Sequence, residues 1–401
     1  MKQTFFSAVL AVSCASMVMG MASKRETPPA KGGKGKVEIV AAGRNMGGLD
    51  KSLRNEVNAA IDRSLDWLVA NQKPDGSWSN GNFPALTAFA VKTLVGGPKQ
   101  PDRQKALDKG VKYILSCVRK DGGIYKDVQG RKGGGLSNYN TAICMSALHT
   151  TGRKSLVPVI LDARKFIADA QYTGGDVYKG GFGYDKDTNR AYTDLLNTYH
   201  AVRAMSETAD VEDLRPKSEK RVDINWNETV KYITRMQNKQ DTGEENEGGF
   251  FYKPGQSKAG TTTNTSGKVV FRSYGSMTYA GLLALIHADV SRDDVRVKSA
   301  FDWSAKHWSL EENPGMGDQG LYFFYNVLTR ALTAYGQDVI PVKGKDKDMI
   351  NWRKQVAERL VSLQKIDPDT GHGYWKNDTA RFWEADPVLA TGYSLLALQL
   401  L

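Results

Sequence analysis

The sequence is poor in cysteine and histidine, with three Cys and five His among 401 residues. Cys14 falls in the apolar N-terminal segment, which leaves Cys117 and Cys144 for the folded part of the chain. We expect these two to be buried thiols, because a core of this size needs no disulfide; a bridge between them is the alternative for an exported protein. The histidines are spread along the chain from His149 to His372, and we predict neither a metal site nor a cofactor.

Long hydrophobic runs are absent beyond the start of the chain. Met1-Lys2 precedes an apolar stretch at 5–18, and Gly20-Met21-Ala22 is a small-x-small cleavage pattern. This arrangement predicts a signal peptide over 1–22, with an uncleaved anchor as the alternative, and hence an exported, periplasmic or extracellular protein. Residues 23–48 are rich in Lys, Gly and Pro and are predicted to form a flexible tether.

The chain carries a net charge of +11, of which +4 lies in the predicted tether. The tether holds six basic side chains and two acidic ones, a net charge of +4. The rest of the chain shows no basic stripe interleaved with aromatic residues, so we do not expect a nucleic-acid partner. Peripheral contact with an anionic membrane or polysaccharide stays open, and the oligomeric state is not predicted.

The sequence does contain a unit that recurs six times from about residue 49 to 401. A helical stretch ends at Gln72 in the first unit, and the Gly-rich turn Asp75-Gly76-Ser77-Trp78 leads to a second apolar stretch. The corresponding end positions in the other units are Val118, Gln171, Gln237, Trp308 and Gln364. Each unit pairs an amphipathic helix with one that is apolar on all sides, which indicates an outer and a buried inner helix. Six such hairpins predict an all-α fold, an (α/α)6 toroid, over 49–401.

The segment from Trp67 to Trp78 resembles the QW motif of squalene and oxidosqualene cyclases. Weaker copies around Gln171, Gln237 and Gln364 extend the likeness over most of the chain. The resemblance implies the α/α toroid shared by terpenoid cyclases, protein prenyltransferase β subunits and complement thioester domains. It also implies that the repeated Gln and Trp residues tie the helix ends together and do not contact substrate; these are Gln72, Trp78, Gln171, Gln364 and Trp375.

The chemical signatures of those relatives are missing. No Asp-x-Asp-Asp acid motif is present, since Asp185-Lys186-Asp187 and two similar pairs lack the further Asp. Asp293-Asp294 has no partner at the spacing of a diphosphate-ionising magnesium site. Neither Cys117 nor Cys144 follows an Asp as in the zinc site of prenyltransferases, and the Gly-Cys-Gly-Glu-Gln thioester run is absent. The resemblance therefore predicts a fold and leaves the activity open.

Candidate site residues come from the starts of the inner helices, where loops converge. The predicted catalytic residues are the carboxylates and one imidazole: Asp194, His200, Asp386 and Asp318. The predicted substrate-binding residues are mainly tyrosines: Tyr139, Asn197, Tyr199, Ser276, Tyr279, Tyr322 and Tyr325. The competing structural interpretation is that Asp194 caps a helix, that His200 is a core histidine and that the tyrosines belong to the core.

Three functions are compatible with these residues. The first is a cyclase or transferase for an isoprenoid, with Asp194 as proton donor and aromatic faces that stabilise a carbocation. The second is a polysaccharide lyase or hydrolase, with Asp194 paired to Asp386 or Asp318. The third is a non-catalytic toroid that binds a glycan, a lipid or a protein. A deep apolar cavity favours the first, whereas an open groove with facing carboxylates favours the second.

Overall fold

The computed structural model describes residues 48–128, 135–186, 192–342 and 349–401. The predicted signal peptide at 1–22 and, apart from Gly48, the predicted tether at 23–48 lie outside these ranges. Within the described ranges, no helix combines the length and the apolarity needed to cross a bilayer.

Twelve α-helices of the described chain alternate between an outer and an inner layer. The outer helices are α1 (Lys51–Ala70), α3 (Pro101–Ser116), α5 (Val157–Asp169), α7 (Trp226–Arg235), α9 (Val295–Lys306) and α11 (Trp352–Ser362). The inner helices are α2 (Pro84–Gly96), α4 (Ser137–Thr150), α6 (Leu195–Glu207), α8 (Gly275–His287), α10 (Leu321–Tyr335) and α12 (Pro387–Leu398). Each inner helix packs on the next, and α12 packs on α2. The inner helices thus form a closed ring, which confirms the predicted (α/α)6 toroid.

Burial explains why the two layers have different sequences. Every residue of α8 is buried, as expected for an inner helix that has neighbours on all sides. In α1, by contrast, Val57, Ile61 and Leu65 are buried while Lys51 and Glu56 are exposed. One apolar stripe is enough for a helix that contacts the ring on a single side.

Three small antiparallel strand pairs are added to the helices. Strands β1 (Thr261–Thr263) and β2 (Val269–Phe271) form a hairpin in the Gly-, Ser- and Thr-rich insertion before α8. The other pairs are β3 (Val339–Pro341) with β4 (Met349–Asn351) and β5 (Lys365–Ile366) with β6 (Gly373–Tyr374). The composition of the insertion predicts a loop, but the β-branched residues in β1 and β2 favour a pair of antiparallel strands.

The repeated glutamines join each unit to the next outer helix. The side-chain amide of Gln72 donates to the Gly76 carbonyl at 3.0 Å and to the Ala106 carbonyl of α3 at 2.8 Å. Gln171 and Gln237 make the same pair of bonds to their own turn and to α7 or α9. Gln364 closes the ring by donating to the Ala60 carbonyl and to Ser64 Oγ of α1, both at 2.8 Å. These glutamines are structural ties, as the resemblance implies.

The turn residue after the glycines is held by a second repeated contact. Trp78 Nε1 donates to the Leu68 carbonyl at 2.7 Å, and Trp375 Nε1 donates to the Leu360 carbonyl at 2.9 Å. The backbone N–H of the same position donates to a threonine in the first turns of the inner helix. The acceptors are Thr87, Thr141, Thr198, Thr278 and Thr391, at 2.8 to 3.1 Å. This threonine is part of the repeat that the sequence pattern conceals, because its spacing from the turn varies between units.

The substitution Thr198→Val tests the role of the threonine contact. Thr198 Oγ1 is the acceptor for the buried N–H of Phe182 at 3.1 Å, and valine has nearly the same shape without the oxygen. We expect the free energy of unfolding to fall by about 2 kcal/mol, because a buried donor loses its partner. Urea denaturation followed by circular dichroism measures the change.

The control for this experiment is Thr333→Val. The Thr333 hydroxyl is buried and has no hydrogen-bond partner among the described residues. Its removal should leave the stability unchanged or raise it. Equal losses in the two variants would show that the threonine oxygen does not stabilise the turn.

Candidate functional site

A cavity of about 440 Å³ opens at the N-terminal ends of the inner helices. All six inner helices, or the residue that precedes them, contribute to its wall, for example Leu86, Tyr139, Leu196, Met277, Phe323 and Tyr393. Loops add further aromatic side chains: Phe83, Tyr184, Tyr192, Tyr252, Tyr274, Phe382 and Trp383. The cavity therefore lies on the axis of the ring, in the volume range of ordinary small-molecule sites.

The polar groups on the described cavity wall are few. Apart from backbone atoms and tyrosine hydroxyls, the polar side chains are those of Lys258 and Ser276. Burial raises the pKa of Tyr139 to about 12, so its hydroxyl stays neutral. Lys258 Nζ lies 4.5 Å from the ring centre of Tyr252, and Lys253 Nζ lies 3.9 Å from that of Tyr192. The wall is aromatic, with cations at its edge.

Two exposed aromatic residues stand at the cavity mouth. Phe382 and Trp383 are 43% and 46% exposed and have φ angles of +60° and +68°. Both angles are in the left-handed region, which is strained for bulky side chains and is enriched at ligand-binding positions. The Trp383 ring packs edge-on against Phe83 at 4.7 Å.

Asp194 is buried beside the cavity and caps α6. Its carboxylate accepts from the Asn197 backbone N–H and side-chain amide, both at 2.8 Å. Burial raises its pKa to about 6, and the bonds from Asn197 and the nearby Tyr252 hydroxyl oppose that rise. Asp194 is not among the cavity-lining residues, whereas its neighbour Tyr252 is, and the Tyr252 carbonyl accepts from the Leu195 N–H at 2.8 Å. In this structure the Asp194 carboxylate caps α6, as the structural interpretation of the sequence predicted.

The other two predicted carboxylates also lie away from the cavity wall. Asp386 caps α12 through Val388 N–H at 2.9 Å and accepts from the Ser79 hydroxyl. Asp318 is exposed in the turn before α10, and its carbonyl accepts from the Asn377 amide at 2.7 Å. The structure does not bring Asp194, Asp318 and Asp386 together on one surface.

A buried carboxylate that the sequence did not single out is Glu384. It accepts from the N–H groups of Tyr322 and Phe323 at 3.2 and 2.7 Å and from the Asn377 amide at 2.8 Å. It thereby caps α10 from the sixth unit. Burial raises its pKa to about 7. The cap comes from about 60 residues away along the chain, so no local pattern marks it.

His200 lies under the cavity, surrounded by aromatic rings. Its ring centre is 5.1 Å from that of Tyr139, 4.8 Å from that of Tyr199 and 6.3 Å from that of Phe323. Burial, followed by the nearby Arg203, lowers its pKa to about 3, which keeps the imidazole neutral. Tyr199 is itself fully buried and does not line the cavity.

The remaining predicted binding residues are divided between wall and core. Ser276 and Tyr139 line the cavity, whereas Asn197 is engaged with Asp194. Tyr279, Tyr322 and Tyr325 are buried in contacts among themselves and with Phe324. The Tyr325 hydroxyl donates to the Leu310 carbonyl at 2.5 Å. The cavity lies at the inner-helix starts from which the candidates were drawn, and most of its aromatic wall residues come from the loops.

Potential metal ligands and thiols in the described chain lie apart from the cavity wall. In the part of the chain that the structure describes, no three His, Cys, Asp or Glu side chains converge in a way that could hold a metal ion. Cys117 and Cys144 are free and buried, and burial raises the pKa of both thiols.

Comparisons with known proteins agree on the fold. No family model matches the chain. A variant of the type II terpene cyclase MstE from Scytonema, in complex with geranylgeranyl dihydroxybenzoate, is similar over 88% of this chain and 100% of its own, with 12% identity and a TM-score of 0.51. Candida albicans protein geranylgeranyltransferase-I, complexed with GGPP, is similar over 85% of this chain and 90% of its own, with 12% identity and a TM-score of 0.50.

A carbohydrate-active toroid is similar to the same degree. An inactive α-1,6-mannanase variant of a Salegentibacter species, bound to α-1,6-mannotriose, matches 86% of this chain and 98% of its own, with 12% identity and a TM-score of 0.53. The fold is therefore a terpenoid cyclase/prenyltransferase-like α/α toroid, which also occurs in glycosidases. At these identities the likeness establishes the fold alone.

Proposed function

We propose that this toroid binds an apolar, isoprenoid-type molecule in its axial cavity. The observation that carries the proposal is the composition of the wall, which is almost entirely aromatic and aliphatic over a volume of about 440 Å³. Apolar ligands gain free energy in proportion to the apolar surface they bury, and aromatic faces suit the branched, unsaturated chain of an isoprenoid. Two of the similar structures hold geranylgeranyl compounds, in agreement with this choice.

The cavity favours an apolar ligand over a glycan. Cleavage of a glycosidic bond requires two carboxyl groups that flank the substrate, about 5 to 10 Å apart. No carboxylate belongs to the described cavity wall, and Asp194, Asp318 and Asp386 each lie elsewhere. Besides the tyrosine hydroxyls, the described wall offers sugar hydroxyls only the side chains of Lys258 and Ser276 and the Trp383 indole N–H.

Proton transfer from Asp194 is a second candidate function, and one observation favours it. The carboxyl group is buried next to Tyr252, a wall residue, and its pKa of about 6 lets it hold a proton in mildly acidic surroundings. A raised pKa, however, makes a carboxylic acid a weaker proton donor than free aspartic acid, whereas protonation of an alkene needs a stronger one. Binding without turnover is therefore the function that we propose.

Export remains part of the proposal. The predicted signal peptide at 1–22 would deliver the toroid outside the cytoplasm, and the exposed Phe382 and Trp383 at the mouth would touch a lipid surface from which an apolar ligand could enter. N-terminal sequencing of the protein from the exported fraction should show a start near residue 23; a chain that retains Met1 would support the uncleaved anchor.

A binding assay with geranylgeraniol tests the ligand class. We expect saturable binding to the wild-type protein and at least a tenfold loss of affinity in Leu196→Trp, which fills the cavity. The control is Leu214→Trp, since Leu214 is 62% exposed and distant in sequence from the wall residues. Absence of saturable binding, or equal binding by Leu196→Trp and wild type, would contradict the proposal, and tighter binding of mannotriose would favour a glycan.

The same assay, read by mass spectrometry after long incubation, decides between binding and catalysis. We expect the isoprenoid to be recovered unchanged from wild type. A product formed by wild type and lost in Asp194→Asn would establish the second candidate function.

A further inference from the structure

A cluster of buried charged side chains lies deeper along the ring axis, beyond the cavity. Lys92 of α2, Arg203 of α6 and Arg330 of α10 are 7%, 6% and 4% exposed. We call these three residues the basic cluster. Each lies nine or ten residues into its inner helix, so the three occupy about the same level of the ring. Glu207 of α6 is the carboxylate that accompanies them.

Lys92 makes hydrogen bonds to two other inner helices, whereas Arg203 and Arg330 each bond within their own helix. Arg203 Nε donates to Glu207 Oε1 at 2.7 Å, and Lys92 Nζ lies 3.3 Å from Glu207 Oε2. Lys92 Nζ also donates to Ser146 Oγ of α4 at 2.5 Å. Arg330 Nε donates to Asn326 Oδ1 at 3.3 Å. One carboxylate therefore faces three cationic groups.

Several buried nitrogen atoms in and around the basic cluster have no partner among the described residues. They are Arg203 Nη2, His200 Nε2 and His287 Nε2. The guanidinium of Arg203 uses its Nε toward Glu207. Its Nη2 makes no bond of good geometry, and the neighbouring Tyr199 hydroxyl is also without a partner among the described residues. A buried donor without an acceptor costs about 1 to 3 kcal/mol, and more when the group is charged.

The pKa values of the cluster side chains reflect the excess of cationic groups over the single carboxylate. Burial, followed by the charge of Arg203, lowers the pKa of Lys92 to about 7 and that of Arg330 to about 10. Burial also lowers the pKa of His287 to about 4, so this imidazole is neutral and can donate a hydrogen bond. An interior excess of positive charge is unfavourable unless an anion balances it.

We propose that the basic cluster binds a small oxyanion, a phosphate or a carboxylate group, between Lys92, Arg203, Arg330 and His287. An oxyanion offers several acceptor oxygens to donors that converge from α2, α6, α8 and α10, and bonds from guanidinium and ammonium groups to such oxygens are the strong, charge-assisted kind. The proposal does not depend on what occupies the cavity, because the described cavity wall includes none of the cluster residues.

Two sources could supply the oxyanion. It could be a free ion, or it could be the charged end of an amphiphile whose apolar part lies in the cavity. The second source is geometrically reasonable, because His200, which feels the charges of the cluster, also contacts Tyr139 and Phe323 of the cavity wall.

Thermal unfolding of the full chain in potassium phosphate, potassium acetate or potassium chloride at equal ionic strength tests the proposal. We expect phosphate or acetate to raise the unfolding midpoint in proportion to the logarithm of its concentration above Kd, by about 5 °C at a hundredfold excess, and chloride to have no such effect. Isothermal titration with inorganic phosphate or acetate should give a single site. Absence of both a midpoint shift beyond that in chloride and a saturable titration, for phosphate and for acetate alike, would overturn the proposal.

Substitutions in the basic cluster test whether the oxyanion-dependent rise of the unfolding midpoint arises from binding at that cluster. In Arg330→Met and Lys92→Met, the oxyanion-dependent shift should disappear, whereas Arg221→Met, which changes an exposed arginine, should keep it. Lys92→Met leaves the Arg203–Glu207 ion pair intact, so it provides a folded variant if Arg330→Met is unstable. A shift of wild-type size in both cluster variants would overturn the assignment.

Comparison of the affinities of farnesyl phosphate and inorganic phosphate shows whether the ligand is a free ion or an amphiphile. If a free ion is the ligand, inorganic phosphate binds Leu196→Trp and wild type equally, and farnesyl phosphate gains no affinity over it. If an amphiphile is the ligand, farnesyl phosphate binds wild type more tightly, and Leu196→Trp removes that gain while inorganic phosphate still binds. Failure of geranylgeraniol to bind in the earlier assay would leave the inorganic phosphate result intact.

Discussion

The substitution Gly180→Ala is expected to lower the free energy of unfolding by about 4 kcal/mol. Gly180 has a φ of +89°, which costs an L-residue about 1 to 2 kcal/mol. A Cβ atom at this position would also collide with the backbone carbonyl of Glu228 in α7. Backbone cannot move aside as a flexible side chain can, so α7 would have to shift. The shift would weaken the bonds from Gln171 and Thr229 to the Gly180 carbonyl, at 3.1 and 3.2 Å.

The matched control is Gly371→Ala. Gly371 lies in the turn of the sixth unit, two residues before the position that corresponds to Gly180; its φ is +70°, and a Cβ there would meet nothing within 4 Å. We expect a loss of about 1 kcal/mol, the cost of the backbone angle alone. Urea denaturation measures both variants. Equal losses would mean that close packing of the turn against the next outer helix contributes little.

The substitution Arg164→Met is the second change with a large expected effect, a loss of about 4 kcal/mol. Arg164 of α5 is 1% exposed and donates to Glu212 at 2.9 Å, to the Met205 carbonyl at 2.7 Å and to Thr208 Oγ1 at 2.8 Å. It thus ties an outer helix to the end of the inner helix α6. Removal of one member of a buried pair leaves the other charge poorly compensated, which typically costs about 3 to 5 kcal/mol.

An exposed ion pair provides the comparison. Arg221 is 64% exposed and lies 2.8 Å from Asp213 Oδ1. Arg221→Met should change stability by less than about 1 kcal/mol. Arg215 also pairs with Glu212, at 2.7 Å. If Arg164→Met lowers the free energy of unfolding as little as Arg221→Met, the ion pair with Arg215 is sufficient to stabilise the Glu212 carboxylate.

The fold could be predicted because its determinants repeat along the chain. Gln72, Gln171 and Gln364 stand at equivalent helix ends, and the apolar inner helices differ plainly from the amphipathic outer ones. Helical periodicity reports how much of each helix is buried, so the order of residues alone distinguishes the two layers. The β1–β2 hairpin was not predicted because three-residue strands inside a polar insertion are too short to show a periodic pattern of apolar residues.

The candidate site was harder to predict because it depends on which loops fold toward the axis. Tyr139 and Ser276 could be placed from their positions at the start of inner helices. Tyr184, Tyr252 and Trp383 come from loops of variable length, whose paths have no local signal. The basic cluster was missed for another reason: Lys92 and Arg330 lie in the middle of apolar helices, and only closure of the ring brings them together.

Closure of the ring has a consequence for how the protein is made. The first and last units contact each other through α12 on α2 and through Gln364 on α1, so the C-terminal unit completes the burial of the N-terminal one. A nascent chain that has left the ribosome only as far as the fifth unit exposes the apolar flanks of α2 and α10. Synthesis of Pro387–Leu398 must therefore precede the folding step that closes the ring.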